Sequence, residues 1–223
     1  MRSDRAVRSG QFPRLLGAGA LFSGSALLAQ IVAGLPLRLG LAASTGLLLL
    51  ALVVLWRRAS SDKRRWFIDV IKIGAAGGVL ATVAYDLARY GLSQWDPSPY
   101  NPFEALRVFG LLLAGSGATP AVIYTSGAAF HTLNGISFGV AFCFFFGTRG
   151  ILAGIGWGIF LELFQIALYP NWLDIKAVKE FTQISALSHV AYGAVLGVIC
   201  RHGLRSHAAR AAAAPQSARE RRA

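Results

Sequence analysis

Charged residues are scarce in this sequence of 223 residues. They make up 14% of it, against roughly 25% in an ordinary soluble domain. Hydrophobic residues make up 55%. Such a composition excludes a disordered chain and argues against a soluble globule. It is typical of a protein that lies in lipid, where burying a charge is costly.

Cysteine is also rare, and its scarcity excludes a disulfide framework. Cys143 and Cys200 are the two cysteines, and neither belongs to a local metal or redox motif. Both fall toward the predicted cytoplasmic ends of apolar runs, where structural disulfides are uncommon. We therefore interpret both as small apolar packing residues.

Long apolar runs are abundant. Each is about long enough to cross a ~30 Å hydrocarbon layer as a helix, which takes ~20 residues. The runs cover 15–35, 37–56, 67–89, 121–147, 151–169 and 182–200. Because a helix satisfies its own backbone in lipid, they predict an all-α, polytopic membrane bundle of about six transmembrane helices, the first an uncleaved helix. The segment 101–120 has a shorter apolar stretch, so we expect an interfacial or re-entrant segment there.

The net charge of +12 comes from basic residues in four places. With six crossings and both termini cytoplasmic, sixteen of the 22 basic residues lie on one side. This positive-inside pattern predicts a multi-pass protein of the inner membrane, with membrane lipids as neighbours. A nucleic-acid partner is not expected, because no recognition module accompanies the charge.

Polar residues divide the chain into three parts. Residues 1–66 form a cytoplasmic tail, an almost purely apolar transmembrane hairpin and a basic linker. Residues 67–203 form a membrane domain of four helices, each with polar groups that hydrocarbon should reject. Residues 204–223 are expected to be a disordered basic tail. We therefore expect function in the second part.

Glu162 is the most costly polar residue of that domain. A carboxylate at the centre of a span costs at least ~2.5 kcal/mol and usually faces a cavity or a partner. Under the six-span topology, His131 and His189 lie in the same outer half of the membrane as Glu162. Asn134 and Gln165 lie close to them in sequence, so all five are predicted to line one polar pocket. Asp86 and Arg89 have i, i+3 spacing and are predicted to form a structural ion pair.

A repeated pattern, H-x-x-x-G-x-x-x-G, surrounds both histidines. It occurs in "HTLNGISFG" (131–139) and "HVAYGAVLG" (189–197). Small residues four apart let helices approach closely in lipid. The pattern predicts helix packing at Gly135, Gly139, Gly193 and Gly197.

Two histidines and a carboxylate also suit zinc or non-haem iron, and two helical histidines suit haem. The ligands would come from three helices, without a local motif such as H-E-x-x-H. We therefore predict no metal and no other cofactor, and the sequence identifies no catalytic residue.

The order of motifs over residues ~98–200 resembles the VanZ-like family of membrane proteins. The motifs are "YNPFEALR", "HTLNGISFGVAFCFFFG", "LELFQIALYPNWLDI" and "HVAYGAVLG". Here His189 replaces an expected Asn, and an expected Arg before the Asp is missing. The resemblance implies an envelope protein with a role in envelope stress or glycopeptide tolerance, but no defined reaction. The matching positions are Asn101, Pro102, Phe103, Asn134, Gly139, Glu162, Gln165, Asp174, Gly193 and Gly197. Through this resemblance Asp174 is predicted to be a sixth ligand-binding residue.

Three hypotheses about function follow. The first is an outer-leaflet pocket that binds or modifies an amphiphile, such as a lipid-linked molecule. The second is a membrane scaffold or structural subunit without a ligand site. The third is a metal- or proton-linked membrane protein or transporter, which an acidic and imidazole relay would suit. The ligand, the choice between binding and catalysis, and the oligomeric state stay open. The sequence also leaves open whether His131, Glu162 and His189 hold a metal or haem, and whether 101–120 crosses the membrane.

Overall fold

A computed structural model describes residues 11–96, 101–173 and 178–220 of the chain. All regular structure within these ranges is helical. The eight helices of the described ranges are, in chain order, α1 (Gln11–Gly19), α2 (Phe22–Ala33), α3 (Leu37–Arg58), α4 (Ser61–Ser93), α5 (Glu104–Ala114), α6 (Pro120–Phe146), α7 (Ile151–Leu173) and α8 (Val178–Glu220).

Five helices of the described ranges are long and apolar enough to cross a membrane. They are α3, α4, α6, residues Ile151–Leu168 of α7 and residues Thr182–Arg210 of α8. The pair α1–α2 makes a sixth candidate if the two helices form one broken span. The prediction of an all-helical membrane bundle is confirmed. The 11-residue α5 is only ~16 Å long at 1.5 Å per residue, so it is too short to cross.

The sequence predicted one continuous first helix, but the structure has two short helices there. The chain bends by 48° between α1 and α2. At the break, the hydroxyl of Ser137 on α6 donates to the carbonyl of Ala20. Gly17 and Gly24, on either side, lie where an added Cβ would come within 2.8 Å of the rings of Phe145 and Phe138. The bend therefore fits both short helices against the aromatic face of α6.

A tight turn then joins α2 to α3. Gly34 adopts the left-handed conformation with φ of 67°, which glycine enters without steric cost. The backbone N–H of Leu37 donates to the side-chain oxygen of Gln30 at 2.8 Å. This bond satisfies one of the otherwise unpaired N–H groups at the start of α3.

The core forms where α4 packs against α6 and α8, and where α8 packs against α7. Glycines permit the close approach: a Cβ at Gly139 would lie 2.7 Å from Gly78 Cα, and one at Gly197 would lie 2.6 Å from the carbonyl oxygen of Gly150. An added Cβ at Gly135 would meet Thr82, and one at Gly193 would meet Gly154. The four glycines of the repeated pattern therefore lie at helix–helix contacts. Gly135 and Gly139 of α6 lie against α4, and Gly193 and Gly197 of α8 lie against the start of α7.

The segment after residue 203 corrects another expectation. It was expected to be disordered, but α8 continues through it to Glu220. Alanine has the highest helix propensity, and "HAARAAAAPQSARE" is rich in it. His207 Nδ1 also lies 3.2 Å from Asp69 Oδ2 on α4, which ties the first turns of this extension to the bundle.

Candidate functional site

Glu162 of α7 lies at the centre of a buried polar network. Its side chain is 4% exposed. Its Oε2 atom accepts a hydrogen bond from Ser185 Oγ at 2.7 Å and lies 2.6 Å from His189 Nδ1. Charge-assisted hydrogen bonds of this kind stabilise a carboxylate that is removed from water. Two residues of α8 therefore hold the carboxylate that the apolar run of α7 brings into the bundle.

The hydrogen bonds of His189 define which ring nitrogen carries a proton. Its Nδ1 faces the carboxylate of Glu162 and also lies 3.0 Å from the carbonyl oxygen of Ser185. A carbonyl only accepts, so Nδ1 is the donor. The Nε2 atom is then the nitrogen that His189 can present to the cavities it lines. A carboxylate that accepts from Nδ1 fixes the tautomer and the orientation of the imidazole ring.

Ser185 links the network and is not arranged as a nucleophile. It is fully buried, accepts from Gln165 Nε2 at 2.9 Å and donates to Glu162. In a serine–histidine–carboxylate triad, the serine bonds the imidazole nitrogen opposite the carboxylate. Here the serine and the carboxylate lie on the same side of His189. The arrangement holds the imidazole in place and does not activate the hydroxyl.

A second carboxylate–imidazole pair joins α4 and α6. His131 Nε2 lies 3.0 Å from Asp86 Oδ1. The predicted ion pair between Asp86 and Arg89 is thus replaced by a contact between helices. Arg89 is 5% exposed, and its guanidinium donates to the hydroxyl of Tyr85 one turn earlier, at 3.0 Å. The arginine turns into the bundle because Tyr85 offers an acceptor there, and Asp86 reaches α6.

Tyr85 lies between the two histidines. Its ring centroid is 5.7 Å from that of His131 and 4.8 Å from that of His189. The predicted residues are therefore brought together through an aromatic ring that sequence reasoning missed. Glu162 and His189 touch directly, whereas His131 belongs to the separate pair on the other side of Tyr85.

A polar cleft of about 70 Å³ opens among α4, α5, α6, α7 and α8. Its polar lining comprises Thr82, Tyr85, Arg89, His131, Asn134, Gln165, His189 and Tyr192. The hydroxyl of Tyr192 is already used, since it donates to the carbonyl of Gly135 at 2.9 Å. Of the predicted pocket residues, four line this cleft, and Glu162 supports His189 from beside it. Asp174 lies outside the described residues.

An apolar groove of about 270 Å³ adjoins the cleft. It runs between α2 and α7, with α6 at its base, and is lined mainly by leucine, isoleucine and phenylalanine. Four residues line both spaces: Phe138, Leu161, Gln165 and His189. A polar space and an apolar space therefore meet at the amide of Gln165 and the imidazole of His189.

The described part of the chain contains no group of three or more His, Cys, Asp and Glu side chains that could hold a metal ion. His131 is paired with Asp86, and His189 with Glu162. The two imidazoles lie on either side of Tyr85. Cys143 and Cys200 are buried and free. The geometry thus yields two separate carboxylate–imidazole pairs.

Sequence reasoning missed Tyr85, Ser185 and Tyr192. A signal for two of them is present, since Ser185, His189 and Tyr192 are spaced i, i+4, i+7 and share one helix face. Tyr85 precedes Arg89 by four residues, the spacing of neighbours on a helix surface. Serine and tyrosine carry no charge at neutral pH, so lipid penalises them less than it penalises Glu162.

In comparisons with protein-family models, curated proteins and solved structures, the chain has no significant match to any of them. The resemblance to the VanZ-like family stays a prediction that rests on motif order. Conclusions about function have to follow from the geometry of the cleft and the groove.

Proposed function

We propose that this protein binds an amphiphile, with the polar head in the cleft and one hydrocarbon chain in the groove. The observation that carries the proposal is the junction of the two spaces at Gln165 and His189. A ligand with a polar end and an apolar end is the class of molecule that such a junction fits. Neither space alone would indicate more than a packing defect or a lipid contact.

The head would supply most of the affinity. A hydrocarbon chain that moves from lipid into the groove gains little, because lipid tails are as apolar as the leucines of the groove. The groove therefore admits the chain without selecting it. The buried polar side chains around the cleft are the groups able to distinguish one head from another.

The size of the cleft limits the head. Its volume of about 70 Å³ is well below the ~300–1,000 Å³ of a pocket for a drug-sized ligand. The cleft holds only a few groups the size of a water molecule, because each such group needs at least ~10–15 Å³ of cavity volume. The part of the head that enters the cleft is therefore a small polar group and not a sugar or a peptide.

We further propose that the cleft opens in the outer half of the inner membrane, with both termini in the cytoplasm. The support is the sixteen of 22 basic residues that this orientation places on one side. Arg89, at the end of α4, then lies on the outer side. A location reporter fused after Thr148 should be active in the cytoplasm, and activity outside would overturn the orientation. The envelope role implied by the VanZ resemblance would agree with this placement.

Obstruction of the groove tests the proposal. Ser25 lines the groove and is exposed, so Ser25→Trp should fill it without disturbing the core. We expect wild-type protein purified in detergent to retain a bound amphiphile by native mass spectrometry, and the variant to lose at least about nine-tenths of it, a change of ~1.4 kcal/mol.

Val32→Trp is the matched control, because Val32 is 69% exposed on the same helix and is not a groove residue. It should retain the amphiphile. Equal retention by both tryptophan variants, or a wild-type protein without any bound amphiphile, would contradict the proposal and favour the scaffold hypothesis.

A further inference from the structure

The cleft offers hydrogen-bond acceptors that lack donors. The side-chain oxygen of Asn134 is buried and has no hydrogen-bond partner among the described residues, and Asn134 is only 8% exposed. An unsatisfied buried acceptor costs ~1–3 kcal/mol, so native proteins rarely keep one without a reason. Because Asn134 lines the cleft, a donor on a ligand would remove that cost.

Two more acceptors line the same cleft. Gln165 uses its Nε2 to donate to Ser185, which leaves its carbonyl oxygen for a ligand. His189 uses Nδ1 toward Glu162 and the Ser185 carbonyl, so in the neutral ring Nε2 has a free lone pair. With Asn134, three acceptors from α6, α7 and α8 border the cleft.

The electrostatic balance around Glu162 favours a cation. The partners of its Oε2 atom are the hydroxyl of Ser185 and the Nδ1–H group of His189. Its other oxygen, Oε1, is buried without a hydrogen-bond partner in the described part of the chain. A buried carboxyl group attracts a cation more strongly than an exposed one does, because the dielectric constant around it is low. A positive group on the other side of His189 would balance the charge of Glu162.

We propose that the head of the amphiphile is a zwitterion that ends in a primary ammonium group. This inference rests on the proposed function. The ammonium group has three N–H donors and meets the oxygens of Asn134 and Gln165 and the Nε2 atom of His189, with Glu162 supplying the charge. It is also small enough for a cleft of about 70 Å³.

Arg89 is the reason to expect a negative group next to the ammonium group of the ligand. Its guanidinium lies at the hydroxyl of Tyr85 and also lines the cleft. A second cation placed there would be repelled, whereas the phosphate next to an ethanolamine group would be attracted. The ammonium end lies toward Glu162 and the phosphate end toward Arg89. The ligand class is therefore a phosphoethanolamine amphiphile.

Four probes test this inference on delipidated full-length protein in detergent. Three are phosphatidylethanolamine, phosphatidylcholine and phosphatidylglycerol with identical acyl chains. Phosphatidylcholine keeps the zwitterion but has no N–H donors, and phosphatidylglycerol has hydroxyl donors without the cation. The fourth is phosphoethanolamine without acyl chains. We expect native mass spectrometry to show at least about tenfold tighter binding of phosphatidylethanolamine than of phosphatidylcholine and phosphatidylglycerol, since a hydrogen bond to a charged group contributes ~1.5–3 kcal/mol. Chain-free phosphoethanolamine should bind more weakly than phosphatidylethanolamine, because without a hydrocarbon chain it stays in water and not in the detergent micelle around the cleft.

The outcomes separate the two proposals. Equal binding of the three lipids would overturn the ammonium inference and leave amphiphile binding intact. Failure of every lipid to bind would overturn the proposed function itself. Equal binding of chain-free phosphoethanolamine would keep the ammonium recognition but show that the ligand is not an amphiphile.

Two variants identify the residues responsible. Glu162→Gln should remove the preference for phosphatidylethanolamine while phosphatidylcholine and phosphatidylglycerol still bind, because the amide keeps an acceptor for Ser185 and His189 but has no charge. Asn134→Leu should weaken the binding of phosphatidylethanolamine and leave the binding of the other two lipids unchanged. Retained binding of the other two lipids shows that each variant is folded. An unchanged preference in both variants would refute the assignment.

Discussion

The hairpin formed by α1, α2 and α3 and the bundle formed by α4 to α8 use different means to hold helices together. In the most apolar stretch of α3, 6% of the residues are buried, compared with 39% in α4, 44% in α6 and 50% in α8. The hairpin is fixed mainly by apolar contacts, together with one turn, the close approach of Gly40 to Ala26, and the bonds from Leu37 to Gln30 and from Ser137 to Ala20. The bundle is fixed by glycine contacts and polar side chains.

The difference illustrates how lipid changes the value of an interaction. Leucines on α3 gain little by leaving lipid for protein, so an exposed apolar helix is stable there. Close backbone packing and interhelical hydrogen bonds do stabilise contacts between helices, because lipid tails cannot replace them. These interactions are concentrated in α4 to α8. A substitution should therefore matter more in the bundle than a similar one in the hairpin.

The largest expected effect is that of a bulky side chain in a glycine contact. Gly154 of α7 lies against Gly193 of α8, and an added Cβ would also come within 2.9 Å of Gly197 Cα. Because backbone lies on the other side, Gly154→Leu would separate α7 from α8. We expect destabilisation of about 3 kcal/mol or more and loss of most folded protein from the membrane, measured by membrane abundance and by gel filtration in detergent.

The matched change in the hairpin is Gly46→Leu, where an added Cβ meets nothing within 4 Å. Leucine also has a helix propensity up to ~1 kcal/mol more favourable than glycine. This variant should accumulate at the wild-type level or above it. Equal losses for both variants would show that the two regions do not differ in the way described above.

A smaller effect is expected in the polar network. Glu162→Leu removes the acceptor of Ser185 and His189 and leaves their donors buried, whereas Glu162→Gln keeps an acceptor. Each buried donor that is left without an acceptor typically costs ~1–3 kcal/mol. Loss of charge with the hydrogen bonds retained should cost no more than ~1 kcal/mol. Thermal unfolding of the purified variants in detergent should therefore show a much lower transition temperature for Glu162→Leu than for Glu162→Gln. Similar temperatures would mean that the network contributes little to stability.

The sequence predicted the membrane-spanning helices well, because their signal is local. The apolar stretches that became α3, α4 and α6 are visible in any window of ~20 residues. The bend between α1 and α2 was not visible in this way. It depends on Ser137, which lies 117 positions after Ala20 and approaches it only in the folded bundle. The helical extension of α8 agrees with the high helix propensity of its alanines, which is also a local signal.

The candidate site was partly predictable. Glu162, His131 and His189 stand out because lipid penalises them wherever they lie in a span. Their partners depend on which helices are neighbours. Asp86 was expected to pair within its own helix, yet α6 brings His131 to it at 3.0 Å.

Hydropathy and charge determine by themselves that this chain is a helical membrane protein with a polar second region, because each residue contributes to them independently of its neighbours in space. The tertiary structure decided which polar groups meet, and that a polar cleft opens beside an apolar groove. Tyr85 and Ser185 are 100 positions apart, yet their hydroxyl oxygens lie 3.4 Å from each other. A contact of this kind exists only in the folded bundle, where α4 packs against α8.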